Sequence, residues 1–464
     1  MPHSALCKLS RSLIAIVLIG SVAPAGQSPE NVSSVLDQKI GALRESFAVP
    51  SVSVAVVRGG QLFYAKAFGQ ATLAGEVAAS TSTRYAVGSI SKQFTAAAIL
   101  LEQEKGKLSL GDKVSKYLPD LTRADEVTIR NLLSHTSGYE DYAPQDYLIP
   151  EWTKPTTPTE IMNHWAKKPL NFDPGTQWQY SNTNYVIAGA ILEKVSGQPL
   201  LSFLKTNFFD PLGMASAGDC EVHSPADASA YTRYALGPPR PVAREANGWY
   251  FAAGELCMTP SDLAKWDIAF LQKRILAAAS YDEFTREVKL KDGSGTHYAL
   301  GLQVGDQHGT PALFHGGEVS GFLALNTLFP AKDIGIVVLS NEDGVNLISP
   351  VTQQIASELL DPENAAAVRQ DQQVRSILES LQQGRIDRSL FTANANSYFT
   401  ALALSDYRDS LGPLGPLQLL DRQNASQRGG MTQLSYRARF AKDTVRLNIY
   451  LMPDGKFEQF LVEE

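Results

Sequence analysis

The sequence predicts an α/β protein of the α+β type: an antiparallel sheet flanked by helices, with an all-helical lobe inserted, followed by a small C-terminal α+β domain. Three observations carry this. Strand patterns gather at the two ends of the first 362 residues, and the stretch between them, about 90 to 280, has helical periodicity broken by long polar or Pro-rich loops. After about residue 366 the composition turns polar and helical, and four further strand patterns close the chain. With 464 residues, 44% hydrophobic and 19% charged, the chain has ordinary globular composition and length enough for two domains.

The elements follow in order. His3, Lys8 and Arg11 precede the apolar run Leu13 to Ile19 and the small residues Ala23-Pro24-Ala25, which together read as a secretory signal peptide over 1–25, cleaved near Ala25. An uncleaved anchor would export the chain as well. The run is well short of the ~20 residues that span a bilayer, so no transmembrane span is expected in the mature chain. Val35, Ile40, Leu43 and Phe47 lie near helical spacing, and "SVSVAVV" and "QLFYAKAFG" flank Arg58-Gly59-Gly60 as a hairpin, with Val52, Val54 and Val56 forming one buried face. Ile90, Phe94, Ala97, Ala98 and Leu101 recur at helical spacing and Gly106 stops that helix. Strands are expected again at "GLQVGD", "ALFHGG", "FLALNTLFP" and "IGIVVLSN", with a turn at Pro330 to Asp333 and a helix near "SPVTQQIASELL". The first domain is thereby bounded at 26–362 and a C-terminal accessory domain at 366–464, its four strands in a meander.

Charge and cysteines narrow the function. A net charge of −7 with scattered Lys and Arg offers no basic field, so no nucleic-acid partner is expected. Cys7 leaves with the signal, and the mature chain keeps Cys220 and Cys257, which either pair in an oxidising compartment or serve as two small buried hydrophobes. Neither lies near a histidine spaced as a zinc ligand, so no metal site is expected there.

The chemistry begins at "YAVGSISK". Ser89 falls in the first turn of the helix that starts near Ile90, and Lys92, three residues on, lies on the same face, where its amine reaches the serine hydroxyl. A serine becomes a nucleophile only when a base takes its proton, and a helix N-terminus favours the anion that develops. Ser-x-x-Lys also occurs at Ser202 to Lys205, so the spacing alone does not suffice. Tyr-x-Asn, which adds a second proton-handling group and a positioned amide, occurs once, as Tyr180-Ser181-Asn182 at a helix start. In "LFHGGEVSGFLALNTLF", Gly316 and Gly317 let a strand backbone approach a ligand and His315 projects a donor beside it. Lys291-Asp292-Gly293 sits in a polar loop, and the histidine of "LLSHTSGY" reads as structural. Gly-x-Ser-x-Gly is nowhere in the chain, which disfavours a conventional α/β-hydrolase.

In this order, Ser-x-x-Lys, Tyr-x-Asn and His-Gly-Gly resemble the penicillin-recognising serine hydrolases related to class C β-lactamases, D-alanyl-D-alanine carboxypeptidases, D-aminopeptidases and family VIII esterases. "VTIRNLLSHTSG", "FDPGTQWQYSNTNYVIAGAILEKVSG" and "GELCMTPSDLAKW" add to a likeness spanning roughly 30 to 362. The resemblance implies a β-lactamase/transpeptidase-like fold with Ser89 as acylated nucleophile and Lys92 as its proton partner. It implies Tyr180 as base for the attack and acid for the leaving group, Asn182 as a ligand of the substrate amide or carbonyl, and the N–H groups of Ser89 and Glu318 as oxyanion hole. Two residues depart from true class C enzymes: His315 stands for their lysine and Gly316 for their hydroxyl residue. Glu255 replaces the glycine usual in "Gly-Gly-Leu". The expectation is an exported, periplasmic or secreted serine hydrolase without metal or organic cofactor, acting on a small ester or a D-amino-acid peptide. A class C-like β-lactamase and a silent sensor of penicillins or peptidoglycan fragments are the rivals.

Overall fold

The computed structural model describes residues 29–463 except 308, 361 and 429, so the expected signal segment and Cys7 lie outside the described residues. The chain divides into two compact units, 1–354 and 355–464. The division falls inside the helix Ile348–Leu360, ahead of the boundary expected near 362.

The first unit opens with α1 (Pro29–Phe47), which leads into the hairpin β1 (Ser51–Arg58) and β2 (Gln61–Thr72) and the short β3 (Val77–Ala78). The buried row of α1 is Val32, Leu36 and Ile40, spaced i, i+4, i+8, rather than the row through Val35 and Phe47. Next come α2 (Ser91–Glu104), α3 (Asn182–Ser196), α4 (Phe251–Gly254) and α5 (Pro260–Leu271). The sheet resumes with β4 (Gln303–Gln307), β5 (Thr310–Val319), β6 (Phe322–Phe329) and β7 (Ile334–Ser340), giving the antiparallel order β3-β2-β1-β7-β6-β5-β4. The two ends of the sequence meet at its centre, where Val54 pairs with Val338.

That central position overrides the expected alternation in β1. Ser51 to Val57 are all buried, because a strand paired on both edges and covered on both faces has no solvent side. Ala55 and Val57, between the valines, join the large core that holds Phe94, Trp266 and Phe270. The same core takes in α2, where Ala96, Ala97, Ala98, Ile99 and Leu100 are all inaccessible, as in a helix that is apolar all round. Alongside its helices the lobe carries two small ladders, one joining 85–86, 256–258 and 218–219 and one joining 231–232 to 240–241.

The second unit packs Val374, Leu378 and Leu381 of the helix Pro362–Leu381 against Tyr436, Ile449 and Phe460 of a four-stranded antiparallel sheet, strands 417–428, 431–440, 444–451 and 457–463 in consecutive order. Asp371 on that helix accepts from the Tyr436 hydroxyl at 2.7 Å and pairs with Arg422. Among the described residues no helix is long and apolar enough to cross a membrane.

Cys220 and Cys257 are disulfide-bonded, with Cα atoms 4.9 Å apart across the small ladder in which Gly218 faces Cys257. Glu255 stands beside this bridge. Its carbonyl accepts from the Cys220 N–H at 2.8 Å, while its side chain is buried and Oε1 has no hydrogen-bond partner among the described residues. Burial, with Asp219, Glu221 and Glu193 nearby, pushes its carboxyl up to about 8.

Two predictions follow from this corner. Denatured but unreduced protein should show no free thiol at Cys220 or Cys257, and Cys257→Ala should cost about 2–4 kcal/mol in chemical unfolding, as loops of this size do. Glu255 binds its proton more tightly folded than unfolded, so its contribution to stability falls as pH rises from the unfolded carboxyl range through about 8. Glu255→Gln should therefore raise the melting temperature more at pH 8.5 than at pH 5; an equal shift at both would place the proton elsewhere.

Candidate active site

A turn of 3₁₀ helix, Gly88–Ile90, runs straight into α2, placing Ser89 one turn before Lys92. The Lys92 ammonium donates to Ser89 Oγ, to Asn182 Oδ1 and to the Ala253 carbonyl, each at 2.8 Å. It is fully buried, and loss of water brings its pKa down to about 7 against the opposing pull of the Asp141 carboxylate. Two fixed acceptors, Asn182 Oδ1 and the Ala253 carbonyl, can hold both N–H bonds of the neutral amine. The remaining position, its lone pair, then faces the serine proton. Ser202, of the second Ser-x-x-Lys, lies on the helix Leu200–Leu204, and Lys205 opens the π-helical turn Lys205–Phe209 that follows, where it pairs instead with Asp210.

Tyr180 Oη donates to Ser89 Oγ at 2.8 Å from the opposite wall. Burial pushes its hydroxyl well above the ordinary tyrosine range, so it stays protonated at neutral pH. Its ring lies 4.3 Å from that of His135 and 4.9 Å from the Lys92 amine. His135, fully buried at a left-handed φ of 59°, accepts the Ser181 N–H on Nδ1 at 3.2 Å. The histidine of "LLSHTSGY" thus supports the loop that carries Tyr180, consistent with a structural role.

Three contributors were not visible in the motifs. Asp141 accepts the Asn182 backbone N–H at 2.8 Å and its side-chain amide at 3.2 Å, so Asn182 is held at both ends, by Asp141 and by Lys92. The Ala253 carbonyl reaches Lys92 because α4 is clamped to α2 by Thr95 Oγ1, which donates to the Ala252 carbonyl at 2.9 Å, and starts from Phe251 at a strained φ of 37°. Tyr298 is the third, through its hydroxyl contact with His315. Asp141 follows "LLSHTSGY" by two residues, Ala253 directly precedes "GELCMTPSDLAKW" and Tyr298 precedes "GLQVGD" by three, but none belongs to a motif that signals its role.

The strand β5 passes directly over the serine turn. A Cβ on Gly317 would lie 1.9 Å from the Val87 carbonyl, and one on Gly88 would lie 2.8 Å from the Glu318 nitrogen, so only glycine fits at either place. The pairing of β5 with β4 ends at Phe314, which leaves His315 to Val319 without a β4 partner on the edge facing this turn. A further extended chain can add there.

His315 is placed differently from expectation. It lines the cleft, but its ring is buried and both nitrogens are engaged, Nε2 with the Tyr298 hydroxyl at 2.8 Å and Nδ1 with the Gly316 carbonyl at 2.6 Å. Burial and the Lys92 charge bring its pKa down to about 3, so it is neutral throughout the physiological range and has no free donor to project. The cleft around these residues has a volume of about 1090 Å³ and is lined by Ser89, Tyr180, Asn182 and His315 to Glu318 together with Trp178 and Tyr250. Among the described residues no group of three His, Cys, Asp or Glu is placed to hold a metal ion.

The Beta-lactamase family profile matches residues 36–353. The chain is 30% identical over 316 residues to penicillin-binding protein 4* of Bacillus subtilis (strain 168), covering 63% of this chain and 68% of that protein. It is 28% identical over 321 residues to PbpX of the same organism, covering 68% of this chain and 77% of that one. Among solved structures, a D-stereospecific amidohydrolase from Streptomyces sp. matches 71% of this chain and 99% of its own at 25% identity and a TM-score of 0.61. The octameric penicillin-binding protein homologue from Pyrococcus abyssi shares the fold over 93% of this chain and 99% of its own, with 21% identity and a TM-score of 0.63. With its serine and tyrosine lining one cleft, the lysine bonded to that serine from beneath, and the family profile matched over well more than half its length, the chain belongs to the Beta-lactamase family.

Proposed function

We propose that this protein is an exported serine hydrolase that works through an acyl-enzyme on Ser89 and cleaves esters or D-amino-acid peptides and amides. The observation that carries the reading is the buried Lys92 amine, near 7 in pKa and 2.8 Å from a serine that Tyr180 also contacts. The similarity to a D-stereospecific amidohydrolase supports the substrate class, and the Cys220–Cys257 disulfide supports export to an oxidising compartment.

Neutral Lys92 takes the Ser89 proton as Oγ attacks the substrate carbonyl. The resulting oxyanion is stabilised by the N–H groups of Ser89 and Glu318, and Asn182 orients the substrate with its remaining amide proton. As the bond to the leaving group breaks, Tyr180 gives it a proton and recovers one from the Lys92 ammonium, leaving the acyl group on Ser89. Water then attacks the ester and the same relay runs in reverse. Tyr180 thus serves as a proton donor in the first step and Lys92 as the base, since burial keeps the phenol protonated and the amine easily neutral. A β-lactamase reading is disfavoured by His315: where class C enzymes present a lysine to the β-lactam carboxylate, this chain has a sealed, neutral imidazole.

Intact mass after incubation with a short-chain nitrophenyl ester, a D-alanyl peptide and a penicillin tests the reading. The ester or the peptide should leave an acyl adduct or be turned over, Ser202→Ala should behave like the parent, and Ser89→Ala should lose all adducts; an adduct surviving in Ser89→Ala would sink the assignment. For a neutral ester, kcat/KM should rise about tenfold per pH unit below 7 and level off above it, as Lys92 becomes neutral. The rise should persist in Glu318→Gln, which removes the other cleft group near 7. A rate flat from pH 5.5 to 8.5 would remove Lys92 as the base.

A further inference from the structure

The cleft around the proposed nucleophile is lopsided in charge. Five carboxylates line it, Asp141, Asp146, Glu245, Glu318 and Asp343, and among the described lining residues there is neither lysine nor arginine. Three are internally satisfied: Asp141 by Asn182, Glu245 by the Tyr250 hydroxyl and Ser320 Oγ, and Asp343 by the Gly321 N–H at 2.7 Å. Glu318 differs. Its backbone sits against the Ser89 turn, yet no hydrogen bond or ion pair among the described residues engages its carboxylate, which stands open to the cleft. Partial loss of water, with the Asp146 and Asp343 carboxylates alongside, pushes it up to about 7. A carboxylate in this condition is stabilised by an arriving cation and destabilised by an arriving anion.

A second, independent feature of the cleft points to the same ligand charge. Its lining includes two exposed aromatic side chains, Trp178 at 39% and Tyr147 at 70% exposure. Aromatic faces attract alkylammonium and guanidinium groups through their quadrupole, and do so most strongly where water is partly excluded. The two groups that could have met a substrate anion are both withheld: Lys92 is spent on three acceptors beneath the floor, and His315 is neutral and doubly bonded.

We propose that Glu318 is a specificity-determining residue that makes this cleft select substrates bearing a positive charge, an alkylammonium or guanidinium group close to the scissile carbonyl, over neutral isosteres and over anions. This rests on the hydrolase reading for its reaction but not for its binding preference. Substrates entering along the open edge of β5 pass the Glu318 side chain while its N–H faces the developing oxyanion, so one residue acts on the reacting centre through its backbone and on substrate choice through its carboxylate.

The test uses three nitrophenyl esters of equal acyl length ending in trimethylammonium, tert-butyl or carboxylate, assayed with the full chain at pH 8 and at low and high salt. The ammonium ester should exceed the tert-butyl ester in kcat/KM by roughly tenfold and the carboxylate ester should fall below it by a similar factor, both gaps narrowing with salt. In Glu318→Gln the ammonium-to-neutral ratio should fall toward one whatever happens to the absolute rates, while Asp125→Asn, an exposed carboxylate outside the cleft, should leave the ratio unchanged. A ratio unaffected by Glu318→Gln, or a carboxylate ester as the best substrate, would overturn the proposal. The same three acyl groups as unreactive methyl amides, titrated calorimetrically into Ser89→Ala, read the preference without chemistry. Ordered binding without any turnover in the parent would fell the hydrolase reading and keep the charge selectivity; turnover without charge order would do the opposite.

Discussion

The site depends on a lysine amine buried without a carboxylate in contact. Lys92 is inaccessible to water, and the Asp141 carboxylate only softens the penalty of burial. An ammonium in such a place is held by dipoles alone, here a hydroxyl, a side-chain amide and a backbone carbonyl at 2.8 Å each. Two of these acceptors are themselves fixed. Asn182 is anchored by Asp141, and Ala253 by the strained start of α4 and its clamp to Thr95. The arrangement costs stability and leaves an amine that changes charge at neutral pH, a property matched to proton transfer.

The second constraint is clearance. The strand bearing His315 to Glu318 and the turn bearing Ser89 approach so closely that a methyl group on Gly88 or Gly317 would strike backbone. Because β5 loses its β4 partner beyond Phe314, the segment nearest the serine keeps that edge unpaired by β4, and the sheet itself lines the cleft. The same strand brings Glu318 to the lining of the cleft, so an acidic lining and the close approach of the Glu318 N–H to the serine turn are consequences of one strand placement.

Much of this was legible in the sequence and some was not. Ser-x-x-Lys is a local pattern: helical spacing alone brings residues 89 and 92 together. Tyr180 and His315 were recognisable because their motifs combine residue types with glycines or amides at fixed offsets. Asp141 and the Ala253 carbonyl act through contacts 41 and 161 residues apart in the chain, and a backbone carbonyl carries no residue signature at all. His315 shows the converse failure. Its position was evident, but its chemistry depends on Tyr298, and a histidine with an ordinary pKa became one that stays neutral. In β1 the alternating valines predicted one wet face, whereas pairing with both β2 and β7 left none.

By itself the sequence determined the order of elements, the sheet assembled from both ends of the first domain, the meander at the C-terminus and the serine, lysine and tyrosine that meet at the candidate site. Periodicity, turn residues and short motifs are properties of neighbours along the chain, and they survive in one dimension. Only the tertiary structure decided the protonation of Lys92, Tyr180 and His315, the pairing of Cys220 with Cys257, the burial of Glu255 and the charge of the cleft. Those depend on how much water is excluded and on which distant dipoles and carboxylates close around each group, and neither is encoded in any local stretch of residues.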